Sequence, residues 1–86
     1  MGVHITKAYK NCRIGCAIVA GAAANTNIAI AGIKTTDELF KVLELATSTA
    51  LPTDRLATSS ITSDGNIQST DATDSDVLIV EWISRE

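Results

Sequence analysis

The chain has almost no aromatic side chains: Tyr9, Phe40 and Trp82 are the whole supply, 3% of 86 residues. A core must therefore be assembled from Ile, Val, Leu and Ala, the larger of which contribute roughly 1.5–3 kcal/mol each when buried. So thin a supply makes burial against another chain one way for a small domain to complete its core. Histidine is equally scarce. His4 is the only one, so a Ser-His-Asp relay has a single candidate base, close to the start of the chain. No glycine-rich phosphate loop, nucleophile elbow or zinc-ligand spacing occurs. No enzyme, cofactor or metal is expected.

Positive charge is also in short supply. Seven Lys and Arg face ten Asp and Glu, a net charge of −3, and the sequence pI is near 4.9. Nucleic-acid binding draws on clustered Lys and Arg that release counterions, and here they are scattered. Lys7, Lys10 and Arg13 form the only basic cluster. It reads first as a solvated strand face and, as a candidate partner contact, as a basic arm. No run reaches the roughly 18 apolar residues of a membrane span. Ile14–Ala24 is apolar, but Met1-Gly-Val-His-Ile is not the basic start of a signal peptide. Met1-Gly2 opens like a myristoylation signal, which Val3-His4-Ile5 ahead of Thr6 match poorly. Neither membrane nor nucleic acid is an expected partner, and a cytosolic product is.

The two cysteines, Cys12 and Cys16, sit four apart. On a strand that spacing covers roughly 13 Å, beyond the roughly 7 Å between Cα atoms that a disulfide tolerates. On a helix they would be neighbours. Two reduced, partly buried thiols are the plain reading, with a metal or intersubunit role as the sharper one.

What the chain does have is short apolar runs separated by turn residues. Cys12, Ile14, Cys16, Ile18 and Ala20 alternate at period two, the spacing of a strand. Asn25-Thr26-Asn27 signals a turn, and Asn27–Ile33 reads as a second apolar strand with Ile28 and Ile30 on one face and alanines on the other. The small face would admit a second layer or a second subunit. Val77–Ile83 is rich in β-branched residues and carries Trp82, and it reads as a strand with Glu81 turned away from Trp82.

Residues 35–46 carry two readings. Thr35-Thr-Asp-Glu38 can be a capping box, and Leu39, Val42, Leu43 and Ala46 recur at helical spacing. Against that, Thr36-Asp37 before Glu-Leu-Phe-Lys-Val-Leu-Glu-Leu echoes Ser75-Asp76 before Val-Leu-Ile-Val-Glu-Trp-Ile, which makes Asp37–Leu45 a strand. Residues 46–54 read as a loop, where Pro52 is compatible only with an edge strand.

The stretch Ile61-Thr-Ser-Asp-Gly-Asn-Ile67 looks like a hairpin tip. A two-residue Asp64-Gly65 turn would pair Thr62 with Ile67. A three-residue loop, Ser63-Asp64-Gly65, pairs Ile61 with Ile67 and sets Gly65 in the left-handed conformation of a type I turn with a G1 bulge. The second register puts both isoleucines on one face and is the one expected. Further on, Asp71, Asp74 and Asp76 suggest calcium, but their spacing is not that of an EF-hand and no bidentate Glu follows. They read as a solvated acidic turn. The expected fold is all-β, a compact antiparallel sandwich or small barrel with short hairpins. Residues 1–86 would form one domain, with residues 1–10 as an N-terminal arm.

Several stretches carry a resemblance: Asn27-Ile-Ala-Ile-Ala-Gly-Ile-Lys-Thr-Thr-Asp-Glu-Leu, Asp54-Arg55, Ser60-Ile-Thr-Ser-Asp-Gly-Asn-Ile-Gln68 and Asp76-Val-Leu-Ile-Val-Glu-Trp82. Together, over roughly residues 17–83, they resemble the small head decoration, or capsid cement, proteins of tailed bacteriophages. The resemblance implies an all-β virion protein bound to the outside of the major capsid protein shell, often as a small oligomer, with a trimer as one expectation. It also favours a strand at Asp37–Leu45. Lys7, Lys10 and Arg13 would then be the arm that meets acidic shell residues. Two other functions compete: a tail or head–tail β-module, and a small carbohydrate- or ligand-binding sandwich, for which Tyr9 and Trp82 are the only Tyr and Trp.

Overall fold

The computed structural model describes residues 13–46 and 51–84. Seven strands follow one another: β1 (Arg13–Ala20), β2 (Ile28–Ala29), β3 (Glu38–Leu45), β4 (Thr53–Asp54), β5 (Ser59–Ser63), β6 (Asn66–Ser69) and β7 (Val77–Ser84), with one 3-10 turn at Leu56–Thr58. They form two antiparallel sheets, a four-stranded one in the order β1-β7-β3-β4 and a three-stranded one in the order β2-β6-β5. The expected all-β class holds, and of the two architectures it is packed sheets, not a closed barrel.

The echo between the two polar turns is structural. Asp37 N–H donates to the Lys34 carbonyl at 2.9 Å and Asp76 N–H donates to the Thr73 carbonyl at 3.1 Å. The same i to i−3 turn thus opens both β3 and β7, which then pair side by side from Leu45↔Val77 to Glu38↔Ile83. Strand, not helix, is the outcome at 38–45. The helical spacing that competed with it has a specific origin. The register slips between Leu39 and Lys41, so Leu39 and Val42 both meet the core while Phe40 and Lys41 stand consecutively between them, on the outer side. A β-bulge therefore converts one period-two step into a three-residue step.

Two expected boundaries move. The strand expected over Asn27–Ile33 ends at Ala29, because Gly32 takes φ +88° and turns the chain. Ile30 and Ile33 stay buried all the same, in that turn. The loop expected over 46–54 includes a short strand, since Thr53 and Asp54 pair with Glu44 and Leu43 at the sheet margin. That is the edge position that Pro52 permits. Residues 1–12, and with them the proposed arm and Cys12, lie outside the described residues, as do 47–50 and 85–86.

The core lies between the sheets. Val42, Leu78, Val80 and Trp82 from the larger sheet meet Ile28 and Ile67 from the smaller, with Ile30 and Ile33 between. The hairpin expected at 61–67 keeps the expected Ile61–Ile67 pair, and Gly65 takes φ +84°. The three-residue loop does not form: Ser63 ends β5 and pairs with Asn66, so the turn is Asp64-Gly65 alone. The hairpin takes up the extra residue in a register shift between Ile61 and Ser63. Its tip is tied to the β2–β3 connection. Gly65 N–H donates to the Ile33 carbonyl, Ile30 N–H donates to the Gly65 carbonyl, and Asp64 Oδ1 accepts from Thr35 N–H at 3.0 Å. The acidic tip fixes how the small sheet meets the large one.

Candidate interaction surface

Side chains alternate along a strand, so one face of β1 meets the core and the other meets solvent. Hydrophobicity alone would put the bulkier set, Ile14, Cys16 and Ile18, inside. The structure does the reverse. Gly15, Ala17 and Val19 face inward, while Ile14 is 69% and Ile18 70% exposed. The reason is the partner strand: Gly15 lies opposite Trp82, and the indole fills the space a side chain there would need. Only the small set of β1 fits over the tryptophan.

The outer face of this sheet can be followed row by row from the registers. Ile14 stands beside Ile83, Ile18 beside Ile79 and Leu43, and Ala20 beside Val77 and Leu45. Between the first two of these rows comes Cys16, then Glu81, then Lys41, with Phe40 at the bulge. Lys41 Nζ and Glu81 Oε2 are 3.7 Å apart, a long, half-exposed ion pair. The central strand β7 is thus as apolar outside, at Val77, Ile79 and Ile83, as it is inside. Strands apolar on both faces belong to sheets covered on both sides. That was the available sequence signal for this surface, and the alternation in β1 by itself could not show which of its faces was which.

Of the basic candidates, Arg13 begins β1 and is exposed; Lys7 and Lys10 lie outside the described residues. Cys16 is a free, exposed thiol on the apolar outer face. Trp82 is only 6% exposed, which removes it as a sugar-stacking platform.

The acidic residues are engaged with the chain itself. Arg55 Nε donates to Glu44 Oε1 at 2.7 Å and Arg55 Nη1 donates to Asp71 Oδ2 at 3.2 Å. Glu44 is buried and hydrogen-bonded to the Asp76 carboxyl. That hydrogen bond, assisted by Arg55 and opposed by burial, holds Glu44 below the ordinary carboxylate range. The same bond, with burial and the charges of Glu44 and Asp74 nearby, pushes Asp76 up. The Glu44 carboxylate, with Asp71 beside it, in turn holds the Arg55 guanidinium above its usual value against the effect of burial. This network joins β3, the 3-10 turn and the start of β7. Among the described residues no three His, Cys, Asp or Glu side chains gather as metal ligands. An open groove of about 290 Å³ runs along Thr35, Asp37, Leu39 and Ser60, but the Asp37 carboxylate in it already accepts from Lys34 N–H. The outer apolar face is the stronger functional candidate.

Comparisons with family models, with curated proteins and with solved structures gave no match.

Proposed function

We propose that the chain is a virion structural protein of a tailed bacteriophage, a decoration protein that binds the outer surface of the major capsid protein shell and stabilises the head. The observation that carries this reading is the outward apolar face of β1 and β7, with Ile14 and Ile18 about 70% exposed. A domain that turns its bulkiest strand face away from its own core is built to be completed by another chain. The resemblance of its turn and strand stretches to capsid cement proteins is what supports this kind of assembly. Cementing needs no catalyst. It needs a stable domain and modest contacts repeated over a lattice, where multivalency sums them.

In this reading the chain self-associates as a small oligomer on the shell. The basic residues Lys7, Lys10 and Arg13 pair with acidic shell residues. Undiminished head binding after deletion of residues 1–10 would remove the arm from the proposal. The decisive experiment is a density map of particles of the phage that encodes this chain. Copies on the outside of the shell, on the order of hundreds per symmetric head, are the expected result. Tens of copies at the tail would make it a tail or head–tail module, and absence from the particle would overturn the virion reading.

A further inference from the structure

We infer that the outer face of the four-stranded sheet is covered by a second copy of this chain, packed face to face about a twofold axis running along the strands between β3 and β7. This deepens the self-association of the proposed function by assigning that face to a second copy, which leaves the shell contact to the basic residues Lys7, Lys10 and Arg13; shell binding is read out separately below.

Three observations select this occupant. The first is the size and character of the face. Eight-residue strands at about 3.3 Å per residue and three strands about 4.8 Å apart give a plan of roughly 26 by 14 Å. The accessible surface of side chains standing on that plan is larger. It lies near the roughly 500 Å² per partner at the lower bound of a specific interface, and within the roughly 300–600 Å² of the largest, often functional, apolar patch of a monomer. The apolar rows run across β1, β7 and β3 from Ile14 and Ile83 at one end to Val77 and Leu45 at the other, interrupted by the row of Cys16, Glu81 and Lys41.

The second is charge. Within this apolar field the central row carries one cation and one anion on adjacent strands, Lys41 on β3 and Glu81 on β7. A foreign apolar surface laid over them would desolvate both for a single 3.7 Å contact, which is unfavourable. A twofold axis between the two strands sets each Lys41 over Glu81 of the second copy, and each charge then has two opposite partners. Complementarity of this kind selects one partner and one orientation. The sequence supplies it within a single chain.

The third is the fit of the remaining rows. The same axis lays Ile79 against Leu43 of the second copy and Val77 against Leu45. β1 of the second copy then lies over the margin beyond β3, where β4 pairs with Leu43 and Glu44 and the bulge leaves Phe40 exposed. The self-complementary arrangement is isologous, as a closed dimer requires, and it forms a second core between two large sheets at the usual spacing of about 10 Å.

The test is sedimentation equilibrium of the full chain up to about 100 µM, a range that captures even a weak interface. The expected mass is that of a dimer. Val77→Lys, at an exposed position that the axis sets against Leu45 of the second copy, should weaken association by about tenfold or more while leaving the circular dichroism spectrum of the domain unchanged. Lys41→Glu and Glu81→Lys should each be monomeric alone, and mixing the two variants should give a heterodimer. A monomeric parent chain, or a dimer that ignores both charge reversals, would overturn the proposal. So would efficient oxidation to a Cys16–Cys16 dimer in a Cys12→Ser background, because that bond requires the β1 edges to pair, whereas face-to-face packing holds the two thiols at opposite margins. Binding to undecorated heads separates the two readings. A solution dimer that does not bind heads leaves the pairing intact and refutes decoration; a monomer that binds heads does the opposite.

Discussion

Gly15 lies directly across the β1–β7 pair from Trp82, and a Cβ built on Gly15 would clash with Cε2 and Cζ2 of the indole. The glycine is there for space: its backbone is ordinary strand, so the left-handed freedom of glycine plays no part. In an open strand Gly→Ala would gain roughly 0.5–1 kcal/mol. Here the clash should dominate, and Gly15→Ala should instead destabilise the domain by roughly 1–3 kcal/mol, the range for overpacked cores. Since Trp82 is the only tryptophan, its fluorescence during urea unfolding reports both the lower midpoint and the displaced ring. A variant as stable as the parent would show that the indole has room to move.

Gly65 makes the opposite case. Nothing lies within 4 Å of a Cβ placed there, but its φ is +84°. Gly65→Ala should therefore cost roughly 1–2 kcal/mol through backbone conformation alone, and Gly65→Asn should recover part of it, because Asn tolerates the left-handed region. Both should keep the Ile61–Ile67 pairing, observable as a cross-strand nuclear Overhauser effect. If Asn proves as costly as Ala, conformation is not what the position demands.

These two glycines show what the sequence made legible. The Ile61–Ile67 pair could be read because it depends on local residues, two isoleucines flanking a turn with glycine. The Asp64-Gly65 turn and the register shift beside Thr62 could not be read, because a three-residue loop gives the same pair. The orientation of β1 could not, because it depends on which residue of β7 meets Gly15, a contact across more than sixty positions of sequence. The helix-or-strand ambiguity at 38–45 was local but disguised. One extra residue at Phe40 imitates helical spacing, and the pairing with β7 is what reveals it as a bulge. The carboxylate network was hidden for the same reason as β1, since Glu44, Arg55 and Asp76 meet only after three elements have packed.

Thr73 is buried, at 1% exposure, and clasps Ala22 in both directions. Its Oγ1 accepts from Ala22 N–H at 3.1 Å and donates to the Ala22 carbonyl at 3.3 Å. Thr73→Val keeps the shape and strips the hydroxyl, leaving Ala22 N–H without its acceptor. A loss of roughly 1–3 kcal/mol is expected, with faster hydrogen exchange at the Ala22 amide. Thr73→Ser should retain protection of that amide at a smaller cost in stability. Equal protection in the Val variant would place the bond among the dispensable ones.

The Glu44–Asp76 pair gives the domain a pH signature with two opposing parts. Glu44 has its folded pKa lowered, so its contribution is full above the ordinary glutamate range and is lost as pH falls through the folded value. Asp76 has its folded pKa raised, so its contribution is full below the ordinary aspartate range and is lost as pH rises through the folded value. At neutral pH the two carboxylates therefore oppose each other, with Arg55 compensating. Asp76→Asn supplies a permanent amide donor to Glu44. It should raise stability at neutral pH, with the gain shrinking as acidification protonates Asp76 in the parent chain. Glu44→Gln should act the other way, costing roughly 1.5–3 kcal/mol at neutral pH through the lost charged hydrogen bond to Arg55, with the deficit narrowing in acid. Urea midpoints for the parent and both variants between about pH 3 and pH 7 would trace the curves. If Asp76→Asn runs parallel to the parent throughout, Glu44 does not raise the Asp76 carboxyl.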